Sequence, residues 1–331
     1  MTGIFKRGII SIITNIDTSP QPSPQGEGER ENMEIRVLKY FLAVAREGSI
    51  TRAANTLHLT QPTLTRQLQD LEKELGQTLF KRGKYKVTLT PEGMILKKRA
   101  EEIIEMVDKT EAEFKSIKNV LAGDIYIGSG ETESMKYLAE IMKEIQTDYP
   151  DIKFHLYSGN AEDVTEKLYK GLLDFGILIQ PIDLSKYDHL PMPEKDVWGV
   201  VMRKDSPLAF NNVIKLDDLK DLPLIASRQM SPKYSAESGF LDWFGEEFDK
   251  LNIAATYNLI YNAAIMVKAG IGYAITLDKL ANTSSESELC FVPLYPRLES
   301  SLDVVWKKNQ VFSPAAKLFL EKLNKKFNQP T

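Results

Sequence analysis

Pro62, Arg66, Gln69 and Lys73 recur at helical spacing along one short stretch, with Gln61, Thr63 and Thr65 beside them. At about 100° per residue these polar side chains share one face. Arg and Gln pair bidentately with guanine and adenine edges in the major groove, and the N-terminal end of such a helix normally enters it. Taken alone, a polar stripe is most often a solvated helix face. The flanking sequence argues for more than that.

On the opposite side Leu64, Leu68, Leu71 and Leu75 are spaced 4, 3 and 4, a core-facing stripe. Thr60 is the expected N-cap, Pro62 falls in the first turn where its missing N–H costs little, and Gly76 is a stop. A shorter helix is predicted over 50–57, capped by Ser49. Its apolar face is Ile50, Ala53, Ala54 and Leu57, and its two alanines allow close helix approach. His58-Leu59 supplies the turn between the two. Residues 79–90 then read as a hairpin turning at Gly83-Lys84, in which Val87 and Leu89 alternate with Lys86 and Thr88. Lys81, Arg82, Lys84 and Lys86 crowd its tip. The whole is a winged helix-turn-helix.

This region resembles the N-terminal domain of LysR-type transcriptional regulators. The matching motifs lie at 41–45 (with one fewer spacer residue), 49–57, 60–62, 71–82 and 89–93. Tyr85 departs from the pattern, standing where the family often carries a basic residue, but Lys84 and Lys86 flank it. The resemblance implies DNA contacts at Gln61, Pro62, Thr63, Thr65, Arg66, Gln69 and Lys73, and on the wing at Arg82, Lys84 and Lys86. It also implies double-stranded DNA with an inverted-repeat operator as partner, and self-association as a dimer or tetramer. RNA polymerase joins these if the protein activates. The expected location is the cytoplasm, and the nucleoid when bound.

Charge supports this division. The 331 residues carry a net −4, but residues 33–100 hold 13 Lys and Arg against 6 Asp and Glu, a net +7. Residues 1–32 carry −1, which leaves −10 on 101–331. A basic block beside an acidic body fits phosphate contact at one end only. Cys290 stands alone, so an intrachain disulfide framework is excluded, and His58, His155 and His189 show no metal-ligand spacing. No run approaches the ~18 apolar residues of a membrane span.

Residues 1–32 contain a short apolar run after Lys6-Arg7 without a small-residue cleavage site, then a Pro/Gly-rich polar stretch at 19–31. They are expected to be a disordered extension, either absent from the native product or dispensable, with Met33 opening the family-like region. The winged domain is assigned to 33–90. Thr90-Pro91-Glu92 starts a helix expected to reach residue 121, whose seam of Leu96, Ala100, Ile103, Val107, Thr110, Phe114, Ile117 and Leu121 alternates steps of 4 and 3. That seam serves either packing on its own chain or a second copy. The family resemblance favours the dimerising linker.

Strands and helices alternate from residue 123 onward, predicting a parallel or mixed sheet with helices on its faces. The second half includes a helix expected over 239–251. The region from 122 resembles the LysR-type effector domain, through Tyr157-Ser158-Gly159, Gly171-Leu172-Leu173-Asp174, Ser206-Pro207-Leu208 and Ala269-Gly270-Ile271-Gly272. It implies lobe I from 122–194 and 301–331, and lobe II from 195–300. The expected fold is therefore an α+β winged helix-turn-helix, a long linker helix, and an α/β two-lobed periplasmic-binding-protein-like effector domain.

Ligands of such folds sit at strand C-termini and helix N-termini between lobes. The candidates are Ser129, Thr132, Asn160, Gln180, Ser227 and Arg228, with a capping or turn role open for each. Hydroxyls, helix ends and Arg228 favour an anion. Glu131 argues for an amine or hydroxyl-bearing ligand. Neither catalytic set, phosphate loop, metal cluster nor cofactor motif is found. A transport solute-binding protein would explain the lobes but not the recognition helix. The sequence reading is a DNA-binding regulator, not an enzyme, modulated by a small effector between the lobes.

Overall fold

The computed structural model describes residues 33–83, 86–116, 121–230 and 243–327. The extension 1–32, Lys84 at the hairpin turn and Ile117 of the seam therefore lie outside the described residues. The chain divides into two compact units between Glu101 and Glu102.

In the first unit, α1 (Ile35–Glu47), α2 (Ile50–Thr56) and α3 (Gln61–Leu75) precede strands β1 (Phe80–Arg82) and β2 (Val87–Leu89). Local chemistry sets each boundary. Ser49 Oγ accepts the Arg52 N–H and Thr60 Oγ1 the Thr63 N–H, while Gly48 and Gly76 end their helices in the left-handed region. Leu38, Phe41, Val44, Ala53, Ala54, Leu64, Leu68 and Leu71 are buried, and the Phe41 and Phe80 rings lie 5.1 Å apart. Glu72 Oε1 accepts the N–H groups of Leu79 and Phe80 at 2.8 and 3.2 Å, fastening α3 to the wing. The Val87 N–H bonds Gly48 O at 2.9 Å. Helix α4 (Pro91–Ser116) follows. A Cβ on Gly93 would come within 2.2 Å of Leu79 O, so only glycine lets α4 start against the wing.

The second unit holds two sheets. The first has order β4-β3-β5-β13-β6, from β3 (Gly123–Ser129), β4 (Ile152–Ser158), β5 (Phe175–Ile179), β6 (Tyr187–Pro191) and β13 (Leu302–Lys307). Strands β4 and β5 run parallel to β3, and β13 runs antiparallel to β5 and β6. Helices α5 (Met135–Asp148), α6 (Ala161–Tyr169) and α8 (Pro314–Phe327) cover it, the last packing Phe319 and Leu323 into the core around Phe175.

The second sheet has order β11-β7-β10-β8-β9, with β12 beside β7. Its strands are β7 (Asp196–Arg203), β8 (Leu224–Ser227), β9 (Ile253–Tyr257), β10 (Tyr273–Leu277), β11 (Leu289–Pro293) and β12 (Glu299–Ser300), and α7 (Ile260–Lys268) packs on it. The chain crosses between sheets twice, after β6 and after β12, and Asp196 pairs with Ser300 at these crossings.

Three expectations need correction. Strand β6 was not anticipated, because Tyr187–Pro191 exposes four of its five residues wholly or partly and carries no clean alternation. Strand β12 was likewise missed, since two residues show no period. Of the helix expected over 239–251, residues 239–242 lie outside the described residues, Trp243 and Phe244 are helical, and from Gly245, at φ +56, a 3-10 turn over Gly245–Lys250 takes the place of α geometry.

The C-terminal part of α4 packs on its own chain. Lys109 Nζ lies 2.8 Å from Asp174 Oδ1 and 3.0 Å from Gly171 O, with both side chains buried. Asp174 Oδ2 accepts the Tyr126 N–H at 2.8 Å. Around them Lys170 reaches Glu102 at 2.7 Å and Lys167 reaches Glu105 at 3.2 Å. These contacts use Glu102, Glu105 and Lys109, a face rotated away from the Ile103, Val107, Thr110 and Phe114 seam.

Lys109→Met leaves the Asp174 carboxylate buried without its cation and should cost about 3–5 kcal/mol. The three tryptophans, Trp198, Trp243 and Trp306, all belong to the second unit, so urea unfolding followed by their fluorescence reports it. Lys109→Met with Asp174→Asn should recover part of the loss; equal stabilities for wild type and Lys109→Met would contradict the pairing.

Candidate nucleic-acid interface and interlobe cleft

Helix α3 presents one face outward because the other is fixed by Leu64, Leu68 and Leu71, all buried. Gln61, Pro62, Thr63, Arg66, Gln69 and Lys73 are exposed and Thr65 is half-buried, so the predicted stripe forms one continuous surface. It is held ready by weak local bonds. Thr60 and Thr63 hydroxyls meet at 2.8 Å, and Gln61 Nε2 donates to Thr65 Oγ1 at 3.1 Å. Arg66 Nε lies 3.8 Å from Asp70 Oδ2 and Lys73 Nζ 3.5 Å from Asp70 Oδ1. Exposed pairs of this kind are worth roughly 0.2–1 kcal/mol, so a stronger partner displaces them readily. On the wing Lys86 is exposed. Arg82 ends β1.

The chemistry on offer is hydrogen bonding from a guanidinium, amides and hydroxyls on a rigid helix, flanked by ammonium groups. That set reads base edges and holds phosphates.

In the second unit a cavity of about 410 Å³, its open mouth included, lies between the two sheets' C-terminal edges. Asn160 lines it from the first lobe, with Gly130, Glu131, Gly159 and Ile179. From the second lobe come Ser227 and Asn258, with Trp198, Tyr257, Ile260, Thr276, Leu277 and Leu280. Asn160 is held by a capping box: its Oδ1 accepts the Asp163 N–H at 2.9 Å and its own N–H bonds Asp163 Oδ2 at 3.3 Å. The polar ends of both large aromatics are occupied. Trp198 Nε1 donates to Ser300 Oγ and Tyr257 OH to Ile275 O, each at 2.8 Å. Burial pushes the Tyr257 phenol far above its usual range.

Of the six ligand candidates, Asn160 and Ser227 line the cavity, and the other four do not. Thr132 Oγ1 donates to the buried Asp196 Oδ2 at 2.6 Å, beside Ser134 Oγ at 3.3 Å from Oδ1. Gln180 is spent within its own lobe, its Nε2 donating to Asp303 Oδ2 at 2.6 Å and its Oε1 accepting the Ile182 N–H at 2.8 Å. Ser129 is buried with its hydroxyl on Gly130 O, and Arg228 is exposed beyond the end of β8. Hydroxyls and amides in these loops serve buried carboxylates and nearby backbone groups rather than the cavity. Tyr257, Asn258 and Thr276 were missed; their strand-end positions were the only available signal.

Among the described residues no three His, Cys, Asp or Glu could together hold a metal ion, and no helix is long and apolar enough to cross a membrane.

Comparison with known proteins agrees with this geometry. Residues 35–94 match the family described as bacterial regulatory helix-turn-helix protein, lysR family, and residues 118–328 match the LysR substrate binding domain. The uncharacterized HTH-type transcriptional regulator YvbU of Bacillus subtilis (strain 168) is 30% identical over 87% of this chain and 97% of its own length. The Hca operon transcriptional activator HcaR of Escherichia coli (strain K12) is 28% identical over 87% of this chain and 96% of its own. Among solved structures, full-length CbnR complexed with its target DNA superposes with a TM-score of 0.69 at 22% identity, covering 88% of this chain and 99% of that one.

Asp196, which holds Thr132 and Ser134, is placed to make the stability of the second unit depend on pH. Burial pushes its carboxyl above the usual carboxylate range, against the hydroxyls of Thr132 and Ser134, which pull it down. The folded protein therefore takes up a proton before the unfolded chain does. Its contribution to stability is present below the ordinary aspartate value and is lost as pH rises through the folded value. Urea unfolding of wild type and Asp196→Asn at a series of pH values should show a difference between them that changes across this window, with Asn relatively more stable at the upper end. A pH-independent difference would remove Asp196 from the account.

Proposed function

Because the chain belongs to the LysR family of transcriptional regulators, we propose that its exposed α3 face reads an inverted-repeat operator while the cleft of its second unit takes the effector. The chain is a DNA-binding regulator, not an enzyme. The observation that carries the site assignment is the capped helix with Leu64, Leu68 and Leu71 turned inward and Gln61, Pro62, Thr63, Arg66, Gln69 and Lys73 turned out. Arg66 and Gln61 are assigned to base edges, with Thr63, Thr65 and Gln69 beside them. Lys73, Arg82, Lys84 and Lys86 are assigned to phosphates.

Two copies meet, in this reading, along the α4 seam. Phe114 is 68% exposed there, and the Lys109 face is already used within the chain, so the two faces serve two partners. A symmetric dimer of this kind reads half-sites about one helical turn apart, and dimers pair further into tetramers. HcaR is by name an activator; if this chain acts likewise, RNA polymerase is a further partner. The cytoplasm, and the nucleoid when DNA is bound, is the corresponding location. In the cleft Asn160 and Ser227 approach the effector, and Thr132, acting through Asp196, positions the loop rather than the ligand.

Arg66→Ala should weaken operator binding by roughly 1–3 kcal/mol and relax preference at one position, whereas Lys86→Ala should weaken all sequences alike and lower the salt slope by about one. Footprints and titrations on operator and scrambled DNA separate these; an unchanged preference in Arg66→Ala would overturn the docking. Val107→Asp with Phe114→Asp should bury unpaired charge in the seam and lower the mass seen by light scattering. A wild-type mass would exclude this seam as the contact.

A further inference from the structure

Glu131 stands on the loop after β3 in the first lobe, yet its Oε2 accepts the Ile260 N–H at the start of α7 in the second. A nine-residue helix offers partial positive charge and unsatisfied N–H groups at its first turn, the natural seat for an anion. Here the chain supplies that anion itself. The other carboxylate oxygen, Oε1, has no hydrogen-bond partner among the described residues, and Glu131 lines the cavity.

The rest of the cavity leaves this charge in place. No Lys, Arg or His is found among the described residues that line it. Asn160, Ser227, Asn258 and Thr276 are uncharged. Trp198 and Tyr257 have their polar ends bonded elsewhere and contribute aromatic carbon, as Ile179, Leu277 and Leu280 contribute aliphatic carbon. The surrounding region, 101–331, carries −10. An arriving carboxylate or phosphate finds the helix N-terminus occupied and meets a like charge. An arriving ammonium finds a fixed carboxylate with a free acceptor, in a net negative field that concentrates cations.

We propose that the interlobe cleft is selective for a small cationic ligand, an ammonium-bearing molecule with an apolar or aromatic remainder, whose charged nitrogen is received by Glu131 Oε1. This rests on the reading of the cleft as the effector site and reverses the anion preference that strand and helix ends suggest by themselves. The ammonium donates to Oε1 while Oε2 keeps the Ile260 N–H, and the remainder lies against the Trp198 and Leu277 side of the cavity. No bond is made or broken.

The test uses the full chain and matched probes: phenethylamine and cadaverine as protonated amines, phenylacetate and adipate as anions of similar size. Binding is read by calorimetry and thermal shift, and operator binding is measured on each variant to confirm folding. The wild type should bind an amine and neither acid. Glu131→Gln keeps an acceptor for the Ile260 N–H, and it should bind the amine about tenfold to a hundredfold more weakly while retaining operator affinity. Ser227→Trp, which fills the opposite wall, should lose the amine as well. Failure of both amines to bind the wild type, or undiminished amine binding in Glu131→Gln, overturns the proposal. Binding of an acid that Ser227→Trp abolishes overturns the charge selectivity but leaves the cleft as the effector site. Amine binding untouched by either variant removes both.

Discussion

Burying the Lys109 ammonium obliges the chain to meet it from several sides. Asp174 Oδ1 and Gly171 O take two of its hydrogens, and the Tyr126 ring centroid lies 5.0 Å away. Asp174 in turn receives the Tyr126 N–H, so one ion pair joins α4, the turn before β5 and the middle of β3. Such a pair contributes little net stability compared with a well-packed apolar replacement, because desolvating both charges offsets their attraction. Its effect is geometric. A helix held only by apolar contacts can slide by a turn at small cost, whereas a displaced Lys109 would leave two buried charges unmatched. The Glu102–Lys170 and Glu105–Lys167 pairs repeat the register on the rim, where solvent weakens them.

This fixes what the linker can do. Its Lys109 face is committed to the effector lobe, and the seam with exposed Phe114 remains for another surface. The same strand, β3, carries Tyr126 against the linker side and leads directly into the loop that bears Glu131 in the cleft. Cleft and linker therefore meet the same strand and the loop that follows it, four to five residues apart. A rearrangement at the loop has a short covalent path to the helix that continues into the DNA-reading unit.

How much of this was legible in the sequence follows from the range of the interactions. The helix-turn-helix was readable because its determinants are local: Ser49 and Thr60 cap within three residues, Gly48 and Gly76 stop their helices, and the leucine stripe has a fixed period. The alternating strands and helices were readable from their patterns, whereas the division into two lobes came from the resemblance of the region from 122 to the LysR-type effector domain. Strand β6 was not, because its place beside β13 comes from a partner more than a hundred residues away and not from its own pattern. Two of the expected ligand residues, Asn160 and Ser227, reach the cavity, but the side chains expected in the other loops turn to partners of their own. Thr132 and Gln180 look like ligand contacts until Asp196 and Asp303 are known to stand opposite them, and those carboxylates lie 64 and 123 residues distant. Lys109 was invisible for the same reason: a lysine one step off an apolar seam reads as solvated until Asp174 is seen.

The interlobe contact made by Glu131 also bears on how binding can become a signal. A ligand shifts an equilibrium only by its differential affinity for two arrangements. A molecule touching one lobe alone would bind nearly the same whether the walls are together or apart. Glu131 belongs to the first lobe by sequence and to the second by its hydrogen bond to Ile260, so its orientation exists only while the two walls are together. A ligand received by that carboxylate and packed against Trp198 and Leu277 contacts both lobes at once. Its affinity then depends on the arrangement, which is the difference in free energy a switch requires. The acidic effector region meanwhile repels phosphate, leaving DNA contact to the basic first unit. A cationic ligand of the cleft, as proposed, and the DNA polyanion would then be sorted by charge between the acidic second unit and the basic first unit.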